Sequence, residues 1–140
     1  MDATALLYPV FALIALTVVL HSMMAFARVR ALKSGEVKVD DIVLGQPNWT
    51  ARATQIANSY HSQHELPVLF YVLVAFILIT SKADYVFVLL AWAFVALRLV
   101  HAFIHTTSNN INQRFPAYAA GLFILVVMWV LFGVRIVTGT

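Results

Sequence analysis

Four long apolar runs constrain this chain more than any other feature. They cover about residues 6–26, 49–79, 85–106 and 116–137, the second with a polar first half. Each can supply the ~20 residues that a helix needs to cross a bilayer. In hydrocarbon the backbone must satisfy its own hydrogen bonds, so the runs are expected to be helices. Composition agrees. The 140 residues are 62% hydrophobic and 11% charged, whereas a soluble domain is about 45–50% apolar and ~25% charged. Short connections, "TSKAD" and "SNNINQR", make neighbouring helices antiparallel. The expected fold is an all-α membrane protein, a single domain over residues 1–140, built as an up-down antiparallel bundle of four transmembrane helices. Pro116 suits the first turn of the fourth helix, where its missing N–H costs nothing. Pro67 is expected to kink the second.

Charge sets orientation and narrows the partners. Arg28, Arg30, Lys33, Lys38 and Arg52 flank the first connection, while the N-terminus has only Asp2. The excess of basic residues places connections 1 and 3 in the cytoplasm and both termini on the opposite side. The opening segment has its charge after the apolar run, so it is read as a retained membrane helix and not a signal peptide. Compactness and the lack of a targeting segment suggest a bacterial inner membrane. The net charge of +3 is scattered, with no basic run interleaved with aromatics, which argues against nucleic acid. There is no cysteine, hence no disulfide framework and no cysteine-based metal site.

Against this apolar background a polar stripe stands out. In the second run Arg52, Gln55, Asn58, Ser59, Ser62 and Glu65 recur at helical spacing on one face. In the third run Arg98, His101 and His105 do the same. Glu65 lies 14 positions before Ile79 and Arg98 13 positions after Tyr85. At ~1.5 Å per residue both sit roughly 20 Å from their shared turn, so Glu65 and Arg98 are expected to contact each other or share a bridging group near mid-bilayer. His61 and Ser62 match the level of His101, Asn58 matches His105, and Arg114 closes the stripe just before the fourth helix. A pair of charges could simply lock two helices. A stripe of this length costs more than a lock requires, since each buried charge costs at least ~2.5–3.5 kcal/mol. It points to a polar, water-reachable cavity open to the cytoplasm.

With these residues in place, the chain resembles the family of membrane-associated proteins in eicosanoid and glutathione metabolism. The resemblance rests on four spans, a long first connection, "HELPVLFY", "RLVHAFIH" and "NQRFPAYAAG" in that order. It implies a homotrimer with glutathione as co-substrate between neighbouring subunits. It implies that Arg114 stabilises the glutathione thiolate, with Arg52, Asn58, Ser62, Glu65, Arg98, His101, His105 and Tyr118 shaping the binding site. The implied activity is transfer of glutathione to, or peroxidase action on, lipophilic small molecules drawn from the membrane lipid. The small residues of "AYAAG" are expected at a subunit boundary. Two other functions stay open. The family usually has Asn where Ser62 stands, and many active members have Arg where Asn58 stands, which supports a non-catalytic lipid-binding member. The pairs His61/His64 and His101/His105 also allow a histidine-ligated metal or haem site, although no carboxylate cluster accompanies them.

Overall fold

The computed structural model describes residues 2–139. Among these there are five α-helices and no strand: α1 (Leu7–Lys33), α2 (Ala51–Ser62), α3 (Leu66–Ile79), α4 (Tyr85–Thr106) and α5 (Ile111–Thr138). They make four candidate spans, because α2 and α3 follow one another through a single crossing. The fold is therefore an all-helical bundle with four membrane-crossing segments. α4 packs mainly on α5 and α1 on α2, while α4 also touches α1 and α2.

The second span is broken outright, where Pro67 was expected only to kink it. It breaks at Gln63–Glu65, where Glu65 has φ −99° and ψ −104°. Pro67 explains the break. A continuous helix would drive its ring into the carbonyl of Gln63. Within the first turn of a new helix, α3, its missing N–H is harmless. The fourth span differs too. α5 starts at Ile111, and Pro116 lies inside it. The start is set by Asn110, whose side chain accepts from the Asn112 N–H at 2.9 Å, as an N-cap does. Arg114 is consequently the fourth residue of α5 and does not precede it.

The outer faces carry large exposed apolar side chains, among them Phe11, Val18, Phe26, Leu89, Phe103, Phe123 and Val130. Such a surface suits lipid, not water. Inside, one half of the bundle is an apolar core. Phe70, Leu73, Ile77, Phe87, Phe94 and Met128 are fully buried there, and the Phe70 and Phe94 rings stack at 4.9 Å. Asp84 closes that end: it caps α4 by accepting from the Phe87 N–H at 3.1 Å and pairs with Arg135 at 2.5 Å. Gly121, the last residue of "AYAAG", lies on a contact within the chain. A Cβ there would meet Phe94 Cε2 at 3.9 Å and Leu97 Cβ at 4.0 Å, so this glycine serves the α4–α5 contact within one chain.

Candidate functional site

The other half of the bundle is polar. A cavity of about 410 Å³ opens between the end of α2, the last turns of α4 and the first turns of α5. Asn58, His61, Ser62 and Glu65 line one side, His101 and His105 another, and Arg114, Tyr118, Ile111 and Phe115 the third. Eight of the residues singled out in the sequence thus meet at one cavity: Asn58, His61, Ser62, Glu65, His101, His105, Arg114 and Tyr118. Helical phase explains it. His101 and His105 are one turn apart on α4, with ring centroids 5.4 Å apart, and Tyr118, one turn beyond Arg114 on α5, faces His101 at 5.9 Å.

Arg98 and Arg52 lie elsewhere. Arg98 is only 1% exposed and sits behind the cavity wall. It makes no direct ion pair with Glu65; the two residues meet at a shared group, the Ser62 carbonyl. Arg98 Nη2 donates to the Ser62 carbonyl at 3.1 Å and to Ser62 Oγ at 3.0 Å. The same carbonyl accepts from the Glu65 N–H at 3.4 Å. The helix break is the physical reason: it frees the Ser62 carbonyl from the helical ladder and leaves Glu65 exposed on the single chain. Arg52 is drawn to the end of α4, where its Nη1 donates to the Thr106 carbonyl at 2.5 Å. Gln55 Nε2 donates nearby to the carbonyls of His105 and Thr107 at 2.8 and 3.1 Å. Both satisfy carbonyls that a helix C-terminus leaves unpaired. Arg52 therefore clamps α2 to α4 and lines a different cavity, against α1.

Asn109 was missed by sequence reasoning. Its Oδ1 accepts a hydrogen bond from Arg114 Nη1, which fixes the guanidinium at the cavity. Asn109 has φ +52°, a left-handed conformation that asparagine tolerates better than most residues. The signal was the Asn109–Asn110 pair, one residue for the turn and one for the cap. Ile111 and Phe115 also line the cavity and were not among the candidates.

Several buried polar atoms of this half have no partner among the described residues. They include Arg98 Nε and Nη1, Gln63 Oε1, Ser59 Oγ and the Nδ1 atoms of His101 and His105. An unpartnered buried polar atom costs about 1–3 kcal/mol, so this region is shaped for water or a polar ligand. No group of three or more His, Asp or Glu residues among those described is arranged to hold a metal ion.

The fold and site together define a small helical membrane protein with a polar cavity sunk into one end of its bundle. Comparison with protein families places it further: the MAPEG family model matches residues 6–134 of the 140, and the chain belongs to that family. No curated protein and no solved structure matches the chain.

Proposed function

We propose that the protein is a glutathione-dependent transferase or peroxidase acting on lipophilic electrophiles, with Arg114 activating the thiol. The observation that carries this reading is the placement of Arg114. It lies in the first turn of the long helix α5, is held by Asn109, and faces a cavity it shares with Glu65, His101, His105 and Tyr118. The residues present suit glutathione. The tripeptide has two carboxylates, one ammonium group and a thiol. Arg114, with the Arg98 charge behind the wall, suits the anionic groups, and Glu65 suits the ammonium. A volume of about 410 Å³ lies within the ~300–1,000 Å³ of small-molecule sites.

The chemistry follows from electrostatics. A thiolate, not a thiol, is the nucleophile, and neighbouring cations lower the thiol pKa. At the start of α5 the helix dipole favours an anion, and the Arg114 guanidinium adds a permanent charge. In conjugation the sulfur forms a bond to the electrophilic carbon. The leaving group departs with its electron pair, and the thiol proton is released to solvent. Ile111 and Phe115, both exposed and apolar, give the cavity a rim that a bilayer-dissolved substrate can cross.

We further propose that the working unit is a homotrimer, with the basic end of the bundle in the cytoplasm of a bacterial inner membrane. His21, His61, His64 and Glu65 are exposed on the single chain at levels where lipid contact is costly, and neighbouring copies would cover them. Native mass spectrometry from mild detergent should return trimers; monomers alone would count against this.

The functional test is conjugation of glutathione to 1-chloro-2,4-dinitrobenzene, read beside thiolate absorbance in the ultraviolet. Arg114→Ala should lose about 10²-fold in turnover, the usual effect of removing a positioned charge-stabilising donor, together with the thiolate signal. Equal activity in Arg114→Ala would refute its role. A second reading, a non-catalytic lipid-binding member, is favoured by Ser62, whose hydroxyl is engaged by Arg98. It takes over if the wild-type protein neither binds glutathione nor forms the thiolate.

A further inference from the structure

A second cavity, of about 610 Å³, lies on the opposite side of α2, against the C-terminal third of α1. It is separate from the site described above and shares no lining residue with it. We propose that it binds a single anionic phospholipid, whose phosphodiester lies between Arg30 and Arg52 and whose acyl chain follows the groove toward the membrane interior.

Charge, shape and level all support this occupant. The lining divides into two parts. Arg30, Arg52, Thr50 and Glu36 form the polar end, while Met23, Phe26, Ala27 and Ile56 are among the apolar walls. Arg30 has neither a side-chain hydrogen bond nor an ion pair among the described residues, and its charge is unanswered. Arg52 commits Nη1 to the α4 terminus and Gln55, leaving its other N–H groups available. Glu36 is the only acidic lining residue, and its carboxylate already accepts from Ser34 Oγ at 3.2 Å. Two guanidinium groups against one carboxylate leave a net positive site, which suits a monoanionic phosphodiester. Headgroup hydroxyls, as in phosphatidylglycerol, have Glu36 as an acceptor.

Level is marked by Trp49. It precedes α2 and stacks under the Arg28 guanidinium at 4.8 Å, and tryptophan favours the headgroup region of a bilayer. Thr50 and Arg52 follow it directly. From Arg30 down α1 to Met23 is seven residues, ~10 Å at the helical rise, so the apolar walls run from the headgroup level into hydrocarbon. The groove is open outward, with Phe26 78% exposed, and an acyl chain can leave it directly into the bilayer. A soluble phosphate would use the polar end but leave the apolar walls unfilled.

The test uses Trp49 as reporter. In full-length protein carrying Trp92→Phe and Trp129→Phe, Trp49 is the remaining tryptophan. The protein is reconstituted in phosphatidylcholine vesicles, and a fraction of the lipid is replaced by brominated phosphatidylglycerol or, separately, by brominated phosphatidylcholine. Half-maximal quenching should need on the order of tenfold less of the glycerol lipid, the scale set by two basic side chains at a membrane surface. Arg30→Gln/Arg52→Gln should abolish the preference. Arg30→Gln alone, which breaks no contact within the chain, should reduce it, while Lys33→Gln/Lys38→Gln, at the same end but outside the cavity, should preserve it. Equal quenching by the two lipids would overturn the proposal. So would a preference that survives loss of both arginines, or one that falls equally with both lysines, since the last result would assign it to general surface potential.

Discussion

The two halves of the bundle handle polarity in opposite ways. At the Asp84 end the charges of Asp84 and Arg135 are answered within the chain. Arg135 pairs with Asp84 and lies over the Phe87 ring at 4.8 Å, and the core beneath is hydrocarbon. At the Arg114 end the chain buries Arg98, Gln63, Ser59 and two histidines without answering all their polar atoms. The first arrangement stabilises; the second costs stability and persists where something other than the fold makes use of it. The Pro67 break is the hinge of this contrast, because it ends one helix at the cavity and starts the next in the apolar core.

Substitutions on the two sides should therefore separate stability from binding. The largest effect on stability is expected for Phe94→Ala in the apolar half. Loss of a fully buried aromatic ring costs about 3–5 kcal/mol, measurable as a fall in unfolding temperature in detergent. In the polar half Arg98→Met should do the reverse. Replacing a buried charge by an apolar side chain of similar volume is often neutral or stabilising, and the Ser62 carbonyl retains the Glu65 N–H. Stability should hold or rise, while glutathione affinity falls about tenfold, roughly 1.4 kcal/mol. If Arg98→Met instead unfolds the protein as readily as Phe94→Ala, the polar half is a helix lock and the contrast fails.

These contrasts were only partly visible in the sequence. The four spans were legible because hydrocarbon permits few alternatives to long apolar helices. The stripe was legible because polar residues in such runs are rare and their spacing is periodic. Two local features were hidden. "INQRF" has the hydropathy of a loop, yet Asn110 caps a helix there, so α5 starts five residues before Pro116. The Glu65–Arg98 pairing was inferred from depth alone. Depth does not show that Pro67 ends the helical ladder at Ser62 and offers Arg98 a nearer acceptor. Asn109 was beyond reach for a similar reason: its role depends on a left-handed turn that brings residues five apart together.

Asn109→Gly, which removes the acceptor but keeps the left-handed turn that an alanine would strain, sharpens the comparison with a smaller effect. Arg114 would lose its acceptor, and the expected cost in transition-state stabilisation is about 1–2 kcal/mol, with little change in unfolding temperature. Unchanged turnover would mean that the guanidinium is positioned by other contacts. Asp84→Asn should have the smallest effect. A partly exposed ion pair contributes about 0.2–1 kcal/mol, and asparagine remains a competent cap. A slight loss of stability with unchanged activity is expected; a large loss of activity would show that the two halves are coupled.

The central claim is that the unanswered polar half is a glutathione site. Calorimetric titration of glutathione into the purified wild-type protein, with Arg98→Met beside it, tests that most directly. The account predicts saturable binding to wild type and about tenfold weaker binding to a variant that is no less stable. Absence of binding to folded wild-type protein, or equal affinity in the two, would contradict it.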